Sequence, residues 1–263
     1  MKSVVITGST RGLGFEMAKR FLQLGWNVTI CGTNRENVNK ATQSLSLFRG
    51  NILDMVCDVK EEQDIIHIWE MSKQKWGIID VWVNNAGINQ PHQCLWDLST
   101  ADTHNVIQTN LMGTIYGSQI AMRGMIEQGR GQIFNMEGFG SNDMQRRGLN
   151  LYGTTKRAIT YFTTALASEA AYTPVKVGLL SRGMMATDFI KARNMSEQER
   201  LDTEKIFNIL GDKPDIVAKY LVKHISANGR NDAHFMWLTK KKAAFRFIKS
   251  MFVKRNLFES QVK

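Results

Sequence analysis

The sequence predicts one α/β domain, a Rossmann-like doubly wound parallel sheet of about seven strands, followed by a basic helical extension. Three observations predict it. Short β-branched runs alternate with stretches of helical period along most of the 263 residues. A glycine-rich turn, "TGSTRGLG" from Thr7 to Gly14, stands between the first strand and the first helix. No run of about 18 apolar residues occurs that would favour a membrane-spanning helix.

The elements follow in order. "SVVITG" and "NVTICG" are β-branched runs bounded by glycine, and "GFEMAKRFLQLG" between them spaces its apolar residues as a helix does and stops at a glycine. This strand–helix–strand unit has about the thirty residues of a βαβ crossover. Further strands are expected at "ILDMVCDV", "IDVWVNNAG", "GQIFNM", "VKVGLL" and "AHFMWLT", and helices at 35–47, 61–76, 101–129, 153–171, 196–208 and 214–226. Strands alternating with helices in this way imply a parallel sheet covered on both faces. Residues 1–239 read as one domain without repeat or linker, and 240–263 as its extension.

Composition narrows the functional classes. Cys31, Cys57 and Cys94 are scattered and form no CxxC, which argues against a disulfide frame. His92 and Cys94 have no second ligand pair, so no metal site is expected. Met1-Lys2-Ser3 leads straight into the first strand, without a signal-like segment, and a cytoplasmic chain is expected. The net charge is +10, but residues 240–263 hold eight Lys/Arg against one Glu. The domain is therefore near neutral with a basic tail, and no nucleic-acid-binding motif accompanies the charge.

Gly8, Ser9, Thr10, Arg11, Gly12, Leu13 and Gly14 form a strand-to-helix turn. Glycines there let the backbone approach a pyrophosphate, and the helix N-terminus supplies amide donors. The second strand ends in Cys31-Gly32-Thr33-Asn34-Arg35, with no acid to hold ribose hydroxyls. Arg11 and Arg35 can pair with a 2′-phosphate while Thr33 and Asn34 donate to it, so NADP(H) is expected over NAD(H). Tyr152 and Lys156, four apart, fall on one helix face, where an ammonium favours the phenolate and suits the pair to acid/base work.

Asp58-Val59 after the third strand, "NNAG" (Asn84 to Gly87) after the fourth, Asn110 in "IQTNLMGT" and the Tyr152/Lys156 pair complete an ordered set with the glycine turn. Together they resemble the short-chain dehydrogenase/reductase superfamily over about residues 2–190. The resemblance implies that Tyr152 protonates a carbonyl oxygen as hydride leaves a nicotinamide, and that Lys156 also holds the nicotinamide ribose. It implies that Asn110 positions a water beside the lysine, that Asp58 and Val59 meet the adenine, and that Asn85, Ala86, Gly87, Gly183 and Thr187 line the cofactor. It further implies dimers or tetramers built through the helices near 101–129 and 153–171.

Two positions depart from the superfamily pattern. The "NISS" usual after the fifth strand reads Asn135-Met136-Glu137-Gly138, which replaces the substrate-steadying serine by Gly138 and leaves Ser141 as the nearest hydroxyl in a longer loop. "SRG" (Ser181 to Gly183) stands where Pro-Gly is usual and puts the charge of Arg182 near the phosphates or the pocket rim. "IFNMEGFGS", "YGTTKRA", "FNILGDKPDIVAKYLV" and "WLTKKKAAFRF" resemble the chlorophyll b reductase branch, which implies NADPH-dependent reduction of a formyl group on a large tetrapyrrole. Ser141 or a backbone amide of its loop is then expected to replace the lost serine in part. A glycine at 138 is expected to leave room for a bulky, apolar small-molecule substrate. Met184, Met185, Phe189 and Met195 suit the lining of such a pocket, or equally the core. A general 3-oxoacyl, ketone or steroid reductase and a catalytically weak NADP-binding regulatory module fit the same residues.

In the tail, Phe245, Ile248 and Phe252 recur at helical spacing with Met251 beside them, and Lys242, Arg246, Lys249 and Lys254 interleave. Such a helix can lie in an anionic membrane surface. It can equally dock its apolar face on the domain or on a second subunit. Docking, and with it a homo-oligomer, is the expectation; membrane contact is the alternative.

Overall fold

The computed structural model describes residues 1–185 and 197–257. Seven strands form one parallel sheet: β1 (Ser3–Ile6), β2 (Asn27–Gly32), β3 (Ile52–Val56), β4 (Val81–Asn84), β5 (Gly131–Met136), β6 (Val175–Ser181) and β7 (Ala233–Met236). Their order is β3-β2-β1-β4-β5-β6-β7. The chain leaves β1 for β2 on one side and later returns to place β4 on the other, so a crevice opens beyond the carboxyl ends of β1 and β4.

The helices are α1 (Gly12–Gln23), α2 (Arg35–Ser44), α3 (Glu62–Trp76), α4 (Thr100–Ile107), α5 (Gly113–Glu127), α6 (Asn150–Glu169), α7 (Glu197–Leu210), α8 (Pro214–Ala227) and α9 (Lys240–Ser250). Alternation along the strands sends side chains to two cores. Val4 and Ile6 join Met17 and Phe21 of α1 and Leu221 of α8 on one face, while Val5 joins Trp82, Ile133, Ile65 and Ile68 on the other. Cys31 and Cys57 are free thiols in the second core.

Among the boundaries that differ from the sequence reading, three have a local reason. The helix expected over 101–129 is α4 and α5 joined by a π-turn at Gln108–Met112, with right-handed helical backbone throughout. The helix expected from 153 starts at Asn150, after Gly148 at φ 78°, and has no side-chain cap to announce it. The last strand stops at Met236, because the Thr239 hydroxyl accepts from Lys242 N (3.2 Å) and caps α9.

The tail helix docks in an unexpected sense. No α9 residue is buried, and Phe245, Ile248, Met251 and Phe252 face outward. The docking contacts come from arginine: Arg246 pairs with buried Asp212 at 2.7 Å, Arg255 does so at 3.3 Å, and Trp237 Nε1 donates to the same carboxylate at 2.6 Å. The expectation that the apolar face packs on the domain is thus corrected: the contacts that hold the tail helix are guanidinium groups on a buried carboxylate.

Candidate active site

The glycine turn is tied to both neighbouring strand ends. Thr7 Oγ1 accepts from Asn85 N and Ala86 N, both at 3.0 Å, and Asn85 Nδ2 donates to Thr7 O (2.9 Å) and Gly8 O (3.1 Å). Ser9 Oγ accepts from Cys31 N at 2.9 Å and donates to Ile6 O at 2.6 Å. The approach leaves no room for side chains: a Cβ at Gly14 would lie 2.5 Å from Asn85 Nδ2, and one at Gly8 would lie 2.8 Å from Ala86 Cα. Gly12, by contrast, has φ +58° and nothing within 4 Å of its Cβ position. The cradle therefore opens at the N-terminus of α1, beside Arg11 and Leu13, where amide donors suit a pyrophosphate. The turn fits a dinucleotide.

Beyond β2, Thr33 and Arg11 are exposed, and Asn34 caps α2 by accepting from Asn37 N at 3.1 Å. Arg35 opens α2 and meets Asp54 only at 3.4 Å, with 57% of its side chain exposed, so its charge is largely uncommitted. Asp58 accepts from Lys60 N at 3.1 Å and holds its ammonium at 3.4 Å; Val59 packs against Gly113, where a Cβ would lie 2.7 Å from it.

Tyr152, Lys156 and Asn110 are buried together past the ends of β4 and β5. Asn110 sits in the π-turn, and such turns recur at functional sites. Its Oδ1 accepts from Ile88 N (2.8 Å), and its Nδ2 donates to Ile88 O (2.9 Å) and Thr155 Oγ1 (3.2 Å). A Cβ built at Gly87 would stand 3.2 Å from Asn110 Oδ1 and 3.5 Å from Lys156 Nζ, so this glycine lies close to both side chains. Lys156 Nζ donates to Met136 O at 3.1 Å and lies 5.8 Å from the Tyr152 ring centre. Burial first and nearby Arg182 second lower the Lys156 pKa to about 7, with Glu137 opposing both.

Arg182 reaches the tyrosine itself: its Nη2 donates to Tyr152 Oη at 3.1 Å. The "SRG" departure marks Arg182 in the sequence, and among the described residues its side-chain partner is the phenol. The space expected at Gly138 is also corrected. A Cβ there would lie 2.6 Å from Tyr152 Oη, so the phenol already fills that volume. Ser141 engages through its backbone, N to Gly138 O (3.1 Å) and O from Arg157 Nη1 (2.8 Å); among the described residues no hydrogen bond joins its hydroxyl to Tyr152. Gln90 Oε1, which no motif signals, accepts from Tyr152 N at 2.8 Å. Met185 packs in the first core, Gly183 turns the chain at φ 66°, and Thr187, Phe189 and Met195 lie outside the described residues.

The family model described as short chain dehydrogenase matches residues 2–198. A chlorophyll(ide) b reductase of Arabidopsis thaliana, named as chloroplastic, is 36% identical over 86% of this chain, which spans 65% of that protein. The corresponding protein of Oryza sativa subsp. japonica, also named as chloroplastic, is 34% identical over 93% of this chain and 73% of its own length. Among solved structures, an actinorhodin polyketide ketoreductase variant with NADPH superposes with TM-score 0.76 at 23% identity, covering 92% of each chain, which shows the shared fold. The chain is a short chain dehydrogenase, an oxidoreductase of the chlorophyll(ide) b reductase-like branch.

Proposed function

We propose that this protein reduces a carbonyl group, an aldehyde on a bulky, apolar small molecule, to an alcohol with NADPH. The observation that carries the reading is the joint burial of Tyr152, Lys156 and Asn110 beside an open glycine cradle. A bound reduced nicotinamide supplies the hydride. Tyr152 gives its proton to the substrate oxygen as general acid. Lys156, held on Met136 O, is placed to return a proton to the phenol and to bind the ribose. Asn110, fixed through Ile88 and Thr155, keeps the lysine's surroundings in place. The uncommitted charge of Arg35, with Arg11, supports NADP(H) over NAD(H). The names of the plant relatives support a formyl tetrapyrrole as the substrate class. No described helix is long and apolar enough to cross a membrane. We place the chain in a cytoplasmic setting as a homo-oligomer.

The test is NADPH oxidation against formyl tetrapyrroles, steroids and simple aldehydes, with products identified. Tyr152→Phe is expected to cut turnover by about a hundredfold to ten-thousandfold while leaving NADPH affinity nearly unchanged. Ser141→Ala, which removes at most a positioning bond, is expected to be milder. Equal damage from the two would make Ser141 a full catalytic member. Steroid or simple-ketone turnover without reduction of a formyl tetrapyrrole would assign a general reductase instead.

A further inference from the structure

Two departures from the family pattern, far apart in sequence, meet on one atom. The register of β5 and β6 sets Met136 beside Leu180, and Glu137 N donates to Leu180 O at 3.0 Å. Positions 138 and 182, each two residues further on, therefore emerge side by side past the carboxyl ends of β5 and β6. At 138 there is no side chain, and Tyr152 Oη occupies the place of one, 2.6 Å from the Cβ position. At 182 there is a guanidinium, whose Nη2 donates to the same Oη at 3.1 Å. Gly183 then turns the chain at φ +66°, where a Cβ would lie 2.7 Å from Leu238 Cβ, so the turn that aims Arg182 is fixed by packing. A serine at 138 would push the phenol away from the arginine; the glycine and the arginine belong together.

We propose that Arg182 is a catalytic residue that replaces the absent serine: its guanidinium holds Tyr152 Oη and the substrate's carbonyl oxygen and stabilises the alkoxide that forms there. The inference rests on the carbonyl-reductase reading above. Guanidinium stays charged throughout the working pH range and carries five N–H donors, so one bond to the phenol leaves others for the substrate. A charge-assisted donor is also stronger than a neutral hydroxyl. The step balances: hydride from the reduced nicotinamide forms the new C–H bond, the C=O π pair moves to oxygen, and that oxygen takes the proton as the Tyr152 O–H bond breaks. The nicotinamide is oxidised, the carbonyl carbon is reduced, and Arg182 compensates negative charge first on the alkoxide and then on the phenolate.

The test compares wild type with Arg182→Met and Arg182→Lys on whichever carbonyl of the panel the wild type reduces. Loss of a donor aimed at developing charge costs about a hundredfold to a thousandfold in kcat. Arg182→Met is expected to show that loss with the NADPH dissociation constant within about twofold of wild type, and Arg182→Lys, which keeps the charge but not the fork, to recover part of it. A second readout needs no turnover: removing the cation should raise the pH at which Lys156 titrates, followed by NMR of labelled lysine. Full turnover by Arg182→Met, in a protein that Tyr152→Phe inactivates, would overturn the role of Arg182 and leave the reductase reading standing. A wild type that binds NADPH but reduces no carbonyl of the panel would overturn both. An unshifted Lys156 titration would show that Arg182 does not sit on the couple and would overturn the inference by itself.

Discussion

Lys156 joins stability and chemistry in one residue. An ammonium buried against Met136 O, with Arg182 nearby and Glu137 as its opposing charge, is costly to keep charged, and its pKa falls to about 7 from the ordinary 10.5. The sign follows from proton counting. Between about 7 and 10.5 the unfolded chain holds a proton that the folded protein lacks, so Lys156's contribution makes stability rise with pH there; below about 7 the full penalty applies. Lys156→Met should therefore stabilise the protein without cofactor at pH 6, by at most about 5 kcal/mol less about 1 kcal/mol for the lost hydrogen bond. The gain should shrink as pH approaches 10. Thermal unfolding of both proteins across this range checks it, and a difference that does not vary with pH would contradict the assigned burial. At this scale the sequence shows which residues react but not what surrounds them. The Tyr152/Lys156 spacing names the couple, whereas the phenol in the Gly138 volume depends on how α6 lies over β5, a tertiary distance with no local signature.

Among the elements, legibility tracks periodicity. All seven strands and the helices α1, α3, α7 and α8 are visible because β-branched runs and 3.6-residue spacing agree with glycine and proline stops. The π-turn around Asn110 is not, because one inserted residue shifts the helical phase without changing composition. The start of α6 is hidden because Leu149 offers no capping side chain. The cofactor corner between β2 and α2 is legible in kind: the missing acid and the presence of Arg35 are sequence facts, while the loose contact with Asp54 is a structural one. An exposed pair at 3.4 Å is worth about 0–1 kcal/mol, so it should not keep Arg35 from a 2′-phosphate. NADPH is expected to bind more tightly than NADH, and Arg35→Asp, which adds a carboxylate next to Asp54, to narrow or reverse the preference. Calorimetry giving equal dissociation constants for the two cofactors with the wild type would refute this.

At the scale of the molecule, the tail decides how the chain meets other surfaces. An amphipathic basic helix suits an anionic membrane only if its cations face outward with the apolar stripe. Here Arg246 and Arg255 are turned onto Asp212, and Lys242 lies over the Trp237 ring at 2.9 Å. These three cations are thus engaged within the fold, while Phe245, Met251 and Phe252 stand 64%, 73% and 82% exposed. We propose a second copy of the chain as the occupant of this exposed stripe. Truncation after Thr239 is a poor test by itself, because it strips Asp212 of both arginines, and breaking a buried pair costs about 3–5 kcal/mol. Replacing Phe245, Met251 and Phe252 by serine leaves the Asp212 contacts in place and removes only the outward stripe. The triple variant should lower the solution mass measured by light scattering, with little change in melting temperature. Asp212→Asn should lower the melting temperature, since it leaves two guanidinium groups without their counter-charge. Salt-sensitive binding of the intact protein to anionic vesicles, abolished in the triple variant while the solution mass stays constant, would instead make the stripe a membrane contact and reject self-association through α9.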